Sequence, residues 1–402
     1  LPAKYNYGRL IGTVNILFSG VVLKPNWKGG EPVIAKELIE FLSQRHTCSV
    51  SKFLPSAFDR LRSISRFVTK DHFLLSDILN RSSLSGINVV LSFYDFDSSM
   101  VQLCTKKKVP IVATQHIYWG LCPKIDFWNN DFVCSCATVD FSKRDCKSCL
   151  SKQGDIGAHL VPNPFSSQAI NSLRLRRLDF LSRCDAIVVP SNYMARLYEK
   201  ELKKRTEIRV IHNGIDIDFY KPTKSLVASK KKRILYAGGR TYGKGYSHFL
   251  KLASQITKLR NDVEFIAFGY GKGSSHSCVR DNIGYLSKSD VTQAYSDSYL
   301  LVFPALWDEP FGLVPLESMA CGCPVVAYAS GGVSETVVNG LTGHLVPTGD
   351  YSQLLKTTLD LIDNESENKG MRTYSREYVV NNFSLKQMLD NYEKVLFEFA
   401  KP

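Results

Sequence analysis

Asp308-Glu309-Pro310-Phe311-Gly312-Leu313-Val314-Pro315-Leu316-Glu317-Ser318-Met319-Ala320-Cys321-Gly322 decides how this chain is read. Glu309 and Glu317 stand eight positions apart within it. The preceding run, Tyr299-Leu-Leu-Val-Phe303, is short and apolar, the pattern of a buried strand. From Gly312 to Ala320 the spacing predicts a helix that buries Leu313, Leu316 and Ala320. Strand, turn and helix place Glu309 at a strand's C-terminal exit and Glu317 about two helical turns further on. The first N–H groups of that helix, near Gly312 and Leu313, have no intrahelical partners and form a ready anion site. A diphosphate with hydroxyl-bearing groups on either side, as in a nucleotide sugar, suits such a layout. A capped helix with two surface carboxylates has the same spacing.

The surrounding residues separate these readings. Pro324-Val-Val-Ala-Tyr328, Gly331-Gly332, Glu335 and Gly340-Leu-Thr-Gly343-His-Leu-Val-Pro347 follow the Glu pair. Pro190-Ser191, His212-Asn213-Gly214-Ile215-Asp216 and Gly239-Arg240-Thr-Tyr-Gly-Lys244-Gly245 precede it. Together they resemble the family-4 retaining glycosyltransferases, whose signature is Glu-x7-Glu followed by Cys/Gly-x-Pro-Val-Val and Gly-Gly-x-x-Glu. The likeness is dense over the C-terminal half and patchy before it. It implies an α/β protein of the GT-B fold: two Rossmann-like doubly wound domains facing a central cleft.

At 402 residues the chain has room for two domains, each with its own core. No apolar run reaches the length of a membrane span. Leu1 to Asn15 does not read as a signal peptide, and the start at Leu1 rather than Met reads as a few residues missing. Net charge is +13. Residues 1–215 hold 30 Lys/Arg against 18 Asp/Glu, and residues 216–402 hold 21 against 20. A basic first half suits an anionic partner, a membrane surface or a phosphorylated acceptor, or is simply a solvated face. No binding motif accompanies the basic runs, which argues against nucleic acid.

Apolar runs alternating with helical patterns predict parallel, doubly wound sheets. The strands of the first half are Val14–Leu23, Asn88–Phe93, Val109–Thr114, Ala186–Val189 and Ile208–Ile211, with helices over Glu31–Gln44 and Asn171–Arg183. Those of the second half are Arg233–Ala237, Val263–Phe268, Tyr299–Phe303 and Pro324–Ala327. A hinge is expected between Asn213 and Lys232. The expected domains are 1–215, with an insertion over about 120–165, and 216–385. The amphipathic tail, residues 386–402, returns to the first domain by the family resemblance.

The loop Gly238-Gly239-Arg240-Thr-Tyr-Gly-Lys244-Gly245 suits a diphosphate, because glycines admit a close ligand and two cations neutralise it. The resemblance makes Arg240 and Lys244 the diphosphate pair and gives Glu317 to the ribose hydroxyls. It places Glu309 at the donor sugar, where no nucleophile is needed because the leaving phosphate can take the acceptor's proton. Gly239, Gly312 and Leu313 join the donor-binding set; Gly29 and Gly30, before the first helix, join it by the family resemblance, in which such a turn contacts donor phosphate or acceptor, and otherwise read as a plain turn and helix start. His116 follows the strand Val109–Thr114, at the end that lines the crevice in open parallel sheets. In the family a His there lies near the donor sugar and the attacking hydroxyl. No catalytic metal is expected, since Arg240, Lys244 and backbone amides serve the phosphates and no Asp-x-Asp triplet lies beside the proposed donor site. Expected partners are a UDP- or GDP-sugar donor and a glycan or lipid-linked acceptor. The first rival reading is a GT-B sugar-nucleotide epimerase; the second is a partner subunit that binds donor without turnover.

Of the eleven cysteines, Cys122, Cys134, Cys136, Cys146 and Cys149 cluster in the insertion. A Cys-x2-Cys pair with earlier thiols suits structural zinc from four of the five. Reduced thiols, a disulfide or an iron–sulfur cluster are the alternatives. Cys48, Cys104, Cys184, Cys278, Cys321 and Cys323 read as small core or near-site residues. The absence of a secretion signal suggests a reducing cytoplasm. Phe58, Leu61, Ile64 and Val68, flanked by Arg60, Arg62 and Arg66, fit either a helix on an anionic membrane's inner face or one covering the sheet.

Overall fold

The computed structural model describes residues 12–19, 30–50, 84–93, 98–122, 128–129, 134–135, 167–202, 206–223, 231–269, 276–283 and 287–400. The expected helix at Phe58–Val68, the strand end beyond Ser19, Gly29, Cys136, Cys146 and Cys149 lie outside them. The chain divides into two compact units. One comprises Leu1–Pro190, Met194–Ile211 and Leu389–Pro402; the other comprises Ser191–Tyr193 and His212–Met388.

The first unit runs β1 (Asn15–Ser19), α1 (Gly30–Ser43), β2 (Thr47–Val50), β3 (Val89–Ser92), α2 (Ser98–Lys107), β4 (Ile111–Thr114), the short ladder β5 (Trp128–Asn129) and β6 (Cys134–Ser135), α3 (Ser167–Leu181), β7 (Ala186–Val189), α4 (Asn192–Leu202) and β8 (Glu207–Val210). Its sheet is parallel, in the order β2-β1-β3-β4-β7-β8. Strands β3, β4 and β7 are buried along their whole length, as central parallel strands covered on both faces must be. β2 escapes sequence reading because Thr-Cys-Ser-Val is an exposed edge without an apolar run.

The second unit runs β9 (Lys232–Ala237), α5 (Tyr246–Leu259), β10 (Val263–Gly269), β11 (Val279–Ile283), α6 (Lys288–Ser296), β12 (Leu300–Phe303), α7 (Leu313–Ala320), β13 (Val325–Tyr328), α8 (Val333–Thr336), β14 (Gly343–Val346), α9 (Tyr351–Asp363), α10 (Glu365–Asn382) and α11 (Leu385–Phe399). From Leu389 onward α11 belongs to the first unit. The sheet is again wholly parallel, in the order β11-β10-β9-β12-β13-β14. Winding therefore reverses direction between β9 and β12, the doubly wound arrangement of Rossmann-like domains. The core gathers Leu235, Ile266, Leu301, Leu316, Met319, Ala320, Val325 and Val333. Leu313 is only partly buried against it, not fully as the helical spacing suggested. His212–Ile215, which the sequence placed with the first domain, belongs to the second unit. Ile215 N–H donates to Phe383 O at 3.0 Å, and Leu385 N–H donates to Ile215 O at 2.8 Å.

Among the described residues no helix is long and apolar enough to cross a membrane. Cys104, Cys122, Cys184, Cys321 and Cys323 are buried free thiols, whereas Cys48 and Cys278 are half-buried. No group of metal-ligating side chains occurs among the described residues. Cys122 is the one member of the cysteine cluster whose side chain they include.

Candidate functional site

In an open parallel sheet the crevice opens where strand order reverses, beyond the strands' C-terminal ends. Here those ends are Ala237 of β9 and Phe303 of β12. The loops leaving them are joined by backbone: the amides of Leu306 and Trp307 both donate to Gly243 O, at 2.8 and 3.0 Å. Gly245 turns the first loop into α5 with φ 72°, and a Cβ there would lie 1.7 Å from Pro304 O. The turn is thus both left-handed and pressed against the second loop, and glycine is required twice over.

This joint sets Lys244 beside Glu309. Lys244 Nζ donates to Glu309 Oε1 at 2.6 Å and lies 3.9 Å above the centre of the Trp307 ring. Trp307 Nε1 donates to the same Oε1 at 2.6 Å. Glu309 is buried. Its backbone is held as well: Gly332 N–H donates to Glu309 O at 2.8 Å, and at Gly331 (φ 57°) a Cβ would come within 2.4 Å of that oxygen. The Gly-Gly of the Gly-Gly-x-x-Glu motif therefore lets one loop pass against the Glu309 backbone. Arg240, with Gly239 in the same loop, donates from Nη1 to Gly269 O at the end of β10. Tyr236 OH donates to Gly239 O at 2.6 Å.

Gly312 (φ 107°) opens α7, and Glu317 lies on its next turn. Tyr295 OH donates to Glu317 Oε2 at 3.0 Å. Tyr220 hydrogen-bonds the same carboxylate. Burial, with Glu317 nearby, pushes both phenols above their ordinary range, so both stay protonated as donors and hold the carboxylate in place. Asp216-Ile217-Asp218 has the spelling of an Asp-x-Asp triplet. Asp216 Oδ1 there accepts from the amides of Asp218 and Phe219, at 3.2 and 3.1 Å, and so closes a turn.

Glu335 on α8 accepts from Asn192 N at 2.8 Å, Asn192 Nδ2 at 2.9 Å and Tyr193 N at 2.7 Å. His212 Nε2 is 3.5 Å away, its ring stacked on Phe311 at 5.3 Å. Burial raises the carboxyl, but the bonds from His212 and the two amides outweigh it and bring the pKa to about 2. The folded value thus lies below the ordinary 4.5. Stability from Glu335 is complete above about pH 4.5 and is lost as pH falls through about 2. Glu335→Gln should cost about 1.5–3 kcal/mol at neutral pH, the worth of hydrogen bonds to a charged group. Urea midpoints of the two proteins should converge as the pH approaches 2.

In the first unit, Gly30 is the first residue of α1. His116 lies just past β4 and is buried. Its Nε2 is 3.1 Å from both Thr114 Oγ1 and Tyr392 OH. Thus Gly239, Arg240, Lys244, Glu309, Gly312, Leu313 and Glu317 fall in the second unit and Gly30 and His116 in the first. Trp307, Tyr295, Tyr220 and Tyr392 were not sequence candidates. Trp307, two residues before Glu309, was the most accessible of them to pattern reading.

The Glycosyltransferase Family 4 model matches residues 52–219 and the Glycosyl transferases group 1 model matches residues 220–378, end to end. N-acetyl-alpha-D-glucosaminyl L-malate synthase of Bacillus anthracis is 32% identical over 31% of this chain and 32% of its own length. The capsular polysaccharide biosynthesis glycosyltransferase CapM of Staphylococcus aureus is 23% identical over 62% of this chain and 74% of its own. The match spans 32%, 41% and 61% of three of the curated relatives. Sucrose-phosphate synthase from Thermosynechococcus elongatus superposes with a TM-score of 0.66 at 16% identity, over 96% of this chain and 99% of that one. Anabaena HepE in complex with UDP-glucose gives 0.62 at 15%, over 96% and 99%. Two matching family models, together running from residue 52 to 378 over two doubly wound sheets, show that the chain belongs to the family-4 glycosyltransferases of the GT-B fold.

Proposed function

We propose that this chain is a retaining glycosyltransferase that moves a sugar from a nucleoside diphosphate sugar to a hydroxyl acceptor. The observation that carries this reading is the Lys244–Glu309–Trp307 cluster at the reversal point of the second sheet, beside the start of α7. An ammonium has three N–H donors; Glu309 takes one, and the others suit the leaving diphosphate. Charge gathers on the phosphate oxygens as the anomeric C–O bond breaks. A cation already held in place stabilises that state without reorganising. Arg240 and the first amides of α7 serve the same charge. Glu317, steadied by two protonated phenols, accepts from the ribose hydroxyls. Glu309 holds a donor-sugar hydroxyl, and the leaving phosphate takes the acceptor's proton. His116 serves the attacking hydroxyl. A UDP-sugar is the first donor to test, since UDP-glucose occupies the HepE relative. The basic first half suits a lipid-linked or cell-surface glycan precursor at an anionic membrane face. The names of the capsular and lipopolysaccharide enzymes among the relatives favour the same class of acceptor.

A thermal-shift panel of UDP-, GDP- and ADP-sugars tests the donor half of this reading. One member should raise the melting temperature. Glu317→Gln should weaken its binding by about 10- to 100-fold, the scale of charged hydrogen bonds lost. A panel without any shift, or unchanged affinity in Glu317→Gln, would overturn it.

A further inference from the structure

His116 does not stand alone at the end of β4. Thr114 Oγ1 and Tyr392 OH are 2.6 Å apart, and each is 3.1 Å from His116 Nε2. Thr114 and Tyr392 are fully buried and His116 is nearly so. The Tyr392 ring also stacks on the imidazole, with centroids 6.4 Å apart. The next residue on α11, Glu393, is buried and bonded to Arg45 at 2.6 Å and to His46 at 2.9 Å. That second network fixes the rotation of the helix that delivers Tyr392.

We propose that Tyr392 is a positioning residue that sets the proton of His116. In a buried triangle of two hydroxyls and one ring nitrogen, the hydroxyls supply two protons. Tyr392 O–H donating to Thr114 Oγ1, and Thr114 O–H donating to His116 Nε2, uses both in one polarised chain. The neutral ring then carries its own proton on Nδ1. His116 accordingly offers an Nδ1–H donor to the attacking hydroxyl, not a base that takes its proton. This accords with a reaction in which the leaving phosphate takes that proton, and it rests on the role given to His116 above.

Nitrogen-15 NMR of the histidine rings in the full chain reads the tautomer directly, with the His116 signals assigned by their loss in His116→Ala. The wild type should show His116 protonated at Nδ1, with Nε2 a hydrogen-bonded acceptor. Tyr392→Phe keeps the ring and the packing but removes the hydroxyl. It should mix the two tautomers and lower the rate of hydrolysis of whichever nucleotide sugar the wild type cleaves by about tenfold, the worth of one well-placed neutral hydrogen bond. Donor affinity should stay within twofold. Thr114→Val, similar in shape, should mix the tautomers likewise. A wild-type ring protonated at Nε2 would overturn the proposal, as would a Tyr392→Phe protein with wild-type tautomer and rate. His116→Ala separates the two claims: full hydrolysis there removes the role of His116 and leaves the proton assignment standing.

Discussion

Lys244→Ala should lower donor turnover by about 10²–10³-fold, and Arg240→Ala should act in the same direction. The two losses differ in kind. Arg240 is tied to the carbonyl of Gly269, whereas Lys244 is bound to Glu309 and rests on the Trp307 ring. Removing the lysine takes away the proposed phosphate cation and also leaves the buried Glu309 carboxylate without its ion pair. Lys244→Ala should therefore lose stability as well as rate. Its melting temperature should partly recover in the double variant Lys244→Ala with Glu309→Gln, while turnover does not. Melting curves and single-turnover hydrolysis on the four proteins decide this. Near-wild-type turnover in both alanine variants would refute the diphosphate role.

The largest expected loss of stability is at Gly245. The alanine Cβ would sit 1.7 Å from the Pro304 carbonyl oxygen on a backbone at φ 72°. Neither atom can move without opening the bonds from Leu306 and Trp307 to Gly243. We expect Gly245→Ala to cost about 4 kcal/mol or more, the range reserved for substitutions that break a defined structural feature. Gly340 is the control. Its φ is 80°, yet no atom lies within 4 Å of an added Cβ. There alanine should cost only the left-handed conformation, about 1–2 kcal/mol. Urea unfolding of the two variants measures the difference, and equal costs would show that packing against Pro304 carries no weight.

Much of this was legible because the second unit's strands are short apolar runs between loops of glycine and charge. Ile234–Ala237 and Leu300–Phe303 announce themselves. The edge strands β2 and β14 do not, since Thr-Cys-Ser-Val and Gly-His-Leu-Val bury only part of their side chains. The site divides the same way. Glu309, Glu317, Arg240 and Lys244 could be named as candidates because each sits in a short motif that carries the family resemblance. Tyr295 and Tyr220 could not: they reach Glu317 from 22 and 97 positions upstream, and no local pattern marks a tyrosine destined for a carboxylate. Tyr392 is 276 positions from His116, and its own helix reads only as amphipathic.

The division of the chain also sets an order of events during synthesis. The first unit takes Leu389–Pro402 from beyond all of the second. Tyr392, Glu393 and the buried Leu396 are thus made only after residues 212–388. At about 5–20 residues per second, that interval lasts roughly 10–35 s. Until it ends, Arg45, His46 and Thr114 wait on the nascent chain without the groups that complete them. Among the described residues, the hydrophobic core of the second unit draws on none beyond Phe383, so it can close first. Although it is encoded later, the half that carries Lys244 and Glu309 is then the first to finish folding.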